Sequence, residues 1–593
     1  MKLIKTTGIR GELSALLGYV MVVLSAQAAT FERTIEAPNG VGDVVALTNA
    51  LTELNALTDA ARNDMRIWLR QGTYNLSGVY MTSTHHLQIK QSLRGLVAGL
   101  GDGPGDTILL GGGETEAHGV LSMEGGGNWG FNTISNLTLT GGWSTMDGGG
   151  INGAASIEYR NLIVSNNYAK GSANGTGGGG CFRGRAFNCL FADNHVTERW
   201  GGGLLVSGYS TRNENEGQGA WNCVFVDNSA HQYGGGLAIN AGGQCHGCSF
   251  TNNTSSNGGA VYVYTVNYAT FNGTPRTTRI LDGTFYGNSG TGAGIYVRAG
   301  VGNVPTSNCV FRRSSGSSTV SGGEMMDCVI EHNSSANGVA ESTMKDCIVR
   351  WNQGMAANGS DMEDCIVEAN TNGADIVKDC NMMRCVLRDN VVTTRYASGI
   401  DSCTTVAGKT NVNCRIENNR FGSEYGAILK SKVLVNCTIL DNDAANGNWG
   451  RPLDTCALWN CVLSGNRIGS TRRDVRINTK EGGKYSIWMT NCFFVASDFA
   501  ASEIGADGTI THDGFGNSRQ ISAEQLRFVD AANGDYTPHH RSPLHDAGLR
   551  DDWILSAIGA TDLAGNPRIV GEGLDIGAYE SQWKPKSITI SFK

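Results

Sequence analysis

The chain has 593 residues, 83 of them glycine and 9 proline, against usual shares of about 7% and about 5%. A formal charge of -8 gives no electrostatic reason for nucleic-acid binding, and 40% hydrophobic residues exclude a wholly disordered chain. The length excludes one ordinary compact domain and leaves either several domains or one elongated repeat.

Residues 1–28 read as a secretory signal, with Lys2, Lys5 and Arg10 ahead of an apolar stretch over 16–26 and the small-x-small pattern Ala26-Gln27-Ala28. That stretch is shorter than the ~20 residues that span a bilayer. A secreted or cell-surface protein with no transmembrane segment in the mature chain is therefore expected. Val44, Leu47, Leu51 and Leu54 follow at helical spacing; Ile67, Trp68 and Leu69 then read as a strand, and Gly72, Thr73 and Tyr74 as a turn.

From residue 162 one phrase recurs. Asn188-Cys189-Leu190-Phe191-Ala192-Asp193-Asn194 returns as Asn222-Cys223-Val224-Phe225-Val226-Asp227-Asn228, and again from Cys248, Cys328, Cys347, Cys365, Cys385, Cys414, Cys437 and Cys461. From Cys309 to Cys385 the spacings are 19, 19, 18 and 20 residues. With cysteine as position 0, a large apolar residue at +2 (Phe191, Phe225, Phe250, Ile330, Val349) shares its strand face. A second apolar column lies at -3 (Met325, Met344, Met362, Met382, Leu434, Leu458, Met489). Asparagine at +5 is placed at a tight bend, where it tolerates left-handed backbone. A unit this short cannot bury its apolar face alone, so copies must stack at ~4.8 Å as a parallel β-helix. Twelve of the 17 cysteines occupy position 0. Buried thiols, neighbour disulfides and a metal site are the three readings; inward-pointing parallel side chains favour thiols, and no zinc spacing is present.

Gly201-Gly202-Gly203-Leu204 and Gly234-Gly235-Gly236-Leu237, with phrases such as Phe225-Val226-Asp227-Asn228, resemble the GGA[ILV] and FxxN repeats of chlamydial polymorphic outer membrane proteins, which are surface β-helices. The helical segment over 43–54 is similar to the entry cap of pectin-lyase-like β-helices. Asp546-Ala547-Gly548, Gly565-Asn566-Pro567-Arg568 and Asp575-Ile576-Gly577-Ala578-Tyr579-Glu580 resemble choice-of-anchor Q modules. Together these imply an all-β, right-handed parallel β-helix with an N-terminal cap helix and a small C-terminal β module. The expected division is signal 1–28, cap and first coils 29–110, β-helix 111–500 and module 501–593. Handedness comes from the resemblance alone.

The outward +3 position reads Arg312, Glu331, Arg350, Glu368, Arg388, Glu417 in successive coils. Stacking sets each interior cation between two carboxylates, as a register-fixing ladder or as a polar track for a polysaccharide. Inserted segments offer Tyr209, Arg212, Glu214 and Glu216, then Tyr264, Tyr268, Phe271, Arg276 and Arg279, with His231 and Tyr233 in a turn between them. Tyrosine and arginine on loops suit sugar stacking and hydrogen bonding. Arg384 with Arg388, or Lys345 with Arg350, are candidates to share a face. His539, His540, His545 and Asp546 superficially suggest metal ligands, but a turn is the better reading. Neither lyase nor glycosidase signatures of the superfamily are present. The leading expectation is a non-enzymatic surface or extracellular protein for adhesion or glycan contact. The alternatives are a secreted polysaccharide lyase or glycoside hydrolase, for which alone Ca²⁺ is a candidate cofactor, and a structural envelope component. Polysaccharide or host-surface glycan is the expected partner, with no nucleic acid and no resident metal.

Overall fold

The computed structural model describes residues 31–584 except 59–63, 91–93, 125–130, 154–156, 172–175, 208–217, 241, 266–269, 272–273, 276–277, 374, 394–409, 422–426, 431–432, 445–450, 477–486 and 572. The expected signal segment lies outside the described residues.

The repeated phrase winds into a right-handed parallel β-helix. One coil shows how. Arg185–Phe187 belongs to the first sheet; Asn188 turns the chain with φ 53°, and Leu190–Ala192 enters the second sheet. Asp193 turns it again with φ 50°, His195–Val196 forms a short linking strand, and Leu204–Ser207 lies in the third sheet. Among the described residues the first and second sheets each hold 18 strands and the third 12. Their ladders are parallel throughout, from Phe31–Ile35 to Ile487–Thr490 in the first sheet and from Gly72–Asn75 to Arg519–Gln520 in the second. Gly72, Thr73 and Tyr74, expected as a turn, thus open the second sheet, because their backbone continues the stack through Thr107–Leu110.

The columns fill the bore. Phe191, Phe225, Phe250, Phe285 and Phe311 stack with ring centroids 4.5–5.0 Å apart and near-parallel planes. The -3 column is equally buried, and Met325, Met344, Met362 and Met382 are register partners. All 16 described cysteines are buried, and no disulfide occurs among the described residues. Burial pushes the thiols of Cys385, Cys414, Cys437 and Cys461 well above their ordinary range, which keeps them in the unreactive form.

Asparagine at +5 does something other than bend. The left-handed residues sit at -1 and +4, as Asn188 and Asp193 or Asn222 and Asp227. The side chain at +5 therefore turns inward. Asn194 receives from Asn167 and donates to Asn228 at 3.0 Å, Asn228 to Asn253 at 3.0 Å, and Asn253 to Asn288 at 3.1 Å. A second run goes from Asn333 to Asn466 and ends on the buried carboxylate of Asp474, which accepts from Asn466 and from the Val495 and Ala496 amides. Each amide meets backbone or a like amide, so a polar column is buried with its groups satisfied.

Glycine at the corner before the third sheet is there for space. Gly201 has φ 68°, and a Cβ on Gly202 would lie 2.2 Å from the Gly235 carbonyl oxygen one coil on. At the N-terminal end the helix Val44–Ala56, capped by Asp43, lays Leu47, Ala50, Leu51 and Leu54 over the open core. No helix among the described residues is long and apolar enough to cross a membrane.

Beyond Gln520 the chain returns along the outside of the last coils. The helix Asp552–Ile558 and Leu574 pack on Val412 and Val435, and Leu526, Leu544 and Ile576 pack on Val462 and Phe493. The corner asparagines at -1 hold this module by its backbone: Asn413 donates to Ile558 O (2.8 Å), Asn436 to Asp575 O (3.1 Å), Asn460 to Leu549 O (3.0 Å) and Asn491 to Ala547 O (2.8 Å).

Candidate functional site

The +3 residues fall in strict register along the second sheet. Glu331 accepts from Arg312 at 2.6 Å and Arg350 at 2.8 Å, Arg350 also reaches Glu368 at 3.7 Å, and Arg388 pairs with Glu368 at 2.6 Å. The ladder stops one step early. Glu417 takes Arg415 at 3.2 Å instead, because Arg415 is fixed against the module by Gly534 O and the Tyr536 ring. The carboxylates of the ladder are drier than those of an exposed track, with the Glu331 side chain 4% and that of Glu368 16% exposed, while Arg312 and Arg388 stay open to solvent. The two arginines beside Glu331 hold its carboxyl below the usual range against the opposing effect of burial. Most of this charge is spent inside the ladder.

Of the inserted-segment residues, Tyr209, Arg212, Glu214, Glu216, Tyr268 and Arg276 lie outside the described residues, as does the side chain of Phe271. His231 and Tyr233 belong to the strand Ser229–Tyr233, not a turn, because that segment pairs with Thr254–Asn257. Tyr233 joins Trp200, Tyr262 and Tyr264 in an aromatic cluster on the outside of the third sheet, 4.4 Å from the Tyr262 ring. Neither basic pair shares a face: Lys345 and Arg350 lie on strands of the first and second sheets, and Arg384 turns the corner before Arg388. The pairing that does occur is between coils, where Lys345 and Arg384 both reach Glu363.

That pairing marks a feature the repeat does not advertise. Outward side chains of the first sheet at -4 and -2 line a cavity of about 640 Å³, formed by Glu324, Met326, Lys345, Asp361, Glu363 and Asn381, with Ala557 of the module walling one end. Asn381 donates to Asp361 at 2.8 Å, and Arg384 bridges Glu363 and Asp364. Farther along the same face Phe187 and Trp221 stack at 4.8 Å, with the Arg160 guanidinium 4.5 Å over Phe187.

Two other titratable clusters are tied into the backbone by hydrogen bonds. His545 lies 3.0 Å from Asp575 and 3.7 Å from Asp546, close enough for three metal ligands. The buried Asp575 carboxylate already accepts from the Asp546 and Ser581 amides at 2.7 Å each, so it is built into the module's backbone. Near the N-terminal end Tyr80, His86 and His118 group their rings, and the Glu116 carboxylate accepts from the Gly78 amide. His86 is locked between Val79 O and the Gly112 amide, leaving no ring nitrogen for a ligand.

No protein-family model and no curated protein matches the chain. Among solved structures it is similar to the A-module of a mannuronan C-5 epimerase of Azotobacter vinelandii, at 14% identity over 77% of this chain and 96% of that one, TM-score 0.21. A mannuronic acid specific polysaccharide family 6 lyase from human gut microbiota matches at 11% identity over 85% and 93%, TM-score 0.25. A pectate lyase matches at 12% over 93% and 97%, TM-score 0.19. At these values the likeness supports no inference about activity; the fold of this chain rests on its own parallel ladders.

Proposed function

We propose that this is an exported glycan-contact protein that holds a polysaccharide along the outer face of its first sheet and releases it unchanged. The cavity over Glu324, Lys345, Asp361 and Glu363 carries this reading. It offers carboxylate and amide hydrogen-bond partners, with Met326 and Met383 as apolar floor for a sugar ring. The Phe187–Trp221 stack extends the same face with aromatic surface. Binding fits better than turnover because both cations, Lys345 and Arg384, are tied to carboxylates. Eliminative cleavage needs a group that takes a proton beside the substrate acid. A glycan array paired with ultraviolet detection of unsaturated products tests the reading. Retention without new absorbance is the expected result; turnover of any uronate polymer overturns it.

A further inference from the structure

We infer that the groove on the first sheet takes a polysaccharide bearing free amino groups, such as a polymer of deacetylated amino sugar, and rejects polyuronates. This rests on the glycan-contact reading and goes beyond it by naming the chemistry of the ligand. The charge inventory is one-sided. Glu324, Asp361 and Glu363 line the groove against one lysine, Lys345. Lys345 is paired with Glu363 at 3.6 Å, and Arg384, beside the groove, is paired with Glu363 and with Asp364 at 2.7 Å. Among the described residues no cation pairs with Glu324 or Asp361, and the only side-chain partner of Asp361 is the Asn381 amide. The corner immediately alongside stacks Asp327, Asp346 and Asp364, each in the left-handed conformation that turns the chain between sheets. Burial, then the neighbouring Asp364 and Asp327, push the Asp346 carboxyl up, as expected where like charges crowd.

A uronate laid in this groove would set carboxylate against carboxylate in a partly desolvated space. A neutral sugar would give Glu324 and Asp361 hydroxyl donors but would leave their charge uncompensated. An ammonium group supplies three donors and the opposite charge, and charge-assisted hydrogen bonds of this kind are the strong ones. A basic peptide is the competing cation. Peptides on a sheet gain affinity by adding a strand to an open edge, but the backbone of this face is consumed by the ladders from Glu324–Met326 through Thr410–Val412. Only side chains are on offer, which suits a sugar's pendant groups.

The test is calorimetric titration of the full chain at low salt and mildly acid pH with glucosamine hexamer, its fully N-acetylated counterpart, a galacturonate oligomer of equal length and a lysine oligomer. The glucosamine oligomer should bind, weaken with added salt, and weaken about tenfold or more in the double variant Glu324→Gln with Asp361→Asn. Both changes are outward and isosteric, so an unchanged melting curve separates lost contact from lost fold. Equal or tighter binding of the acetylated or galacturonate oligomer overturns the inference while leaving glycan contact standing. Equally tight lysine-oligomer binding overturns it by assigning the groove to basic peptides. Binding of no oligosaccharide removes the inference and the glycan-contact reading together.

Discussion

Single side chains in the bore have few ways to change. Phe225 is fully buried and stacked between Phe191 and Phe250. Truncation to alanine should cost ~3–5 kcal/mol, because rigid neighbours on both sides cannot collapse into the space; a melting curve like that of the parent would contradict this. The asparagine column makes a sharper case. Asn228 accepts from Asn194 through its oxygen, and its nitrogen donates to Phe191 O and to Asn253. Asn228→Ala removes an acceptor and a donor, at ~1–3 kcal/mol for each group left unsatisfied. Asn228→Asp keeps the acceptor but points a second carboxylate oxygen at two acceptors. The buried acid would hold its proton, its folded pKa raised above the unfolded one, so the variant loses stability as pH rises through that value. The aspartate variant should therefore melt below the alanine variant at neutral pH, with the gap closing in acid. Asp474 is tolerated because it ends the run and meets only donors.

At the scale of elements, the C-terminal module carries its own pH dependence. Arg568, Asp562, Asp575 and Glu580 are all buried there, with Arg568 Nη1 3.8 Å from Glu580. Burial, reinforced by Asp575, pushes the Glu580 carboxyl up to about 8 from an ordinary 4.5. A raised folded pKa means that the stabilising proton is fully in place below the unfolded value and is lost as pH rises through about 8. Fluorescence of Trp553, packed edge-on against Trp459, should report the module loosening between pH 5 and 9. Glu580→Gln should flatten that profile, and an unchanged alkaline loss in the variant would assign it to another group. The elements themselves were unevenly legible. Columns at 0, +2 and -3 recur in most coils and obey strand alternation, so they could be read directly although Thr306 and Asn411 interrupt the -3 column. The +5 asparagine could not be assigned correctly, since left-handed tolerance belongs to Asn at -1 and at +4 alike, and sequence does not say which copy faces inward. The groove left no periodic trace: its outward positions hold Glu324, Thr343, Asp361, Asn381 and Thr410 in turn, and its end wall comes from Ala557, far along the chain.

For the whole molecule, the solenoid makes stability local along its axis, because each coil touches only its neighbours. The module is the exception, since it spans several coils from the side and covers an apolar strip on their outer faces. Val412, Val435, Val462 and Phe493 are buried by it, not by the bore. The core end is closed separately by Phe499, Ile510 and Phe515, and the last rung of the second sheet is Arg519–Gln520. A chain ending at Gln520 would thus keep a closed bore while exposing that lateral strip and freeing Asn413, Asn436 and Asn460 from their carbonyl partners. An apolar strip flanked by amides that have lost their acceptors favours self-association. Size-exclusion chromatography should show the truncated chain as oligomers. Hydrogen exchange should quicken over 410–494 while the phenylalanine-stacked coils from Phe191 to Phe311 keep their protection, since the residues packed under the module, Val412, Val435, Val462 and Phe493, lie in later coils. A monomer with uniform protection would mean that the last coils stand without lateral support, and that the corner asparagines hold the module without being held by it.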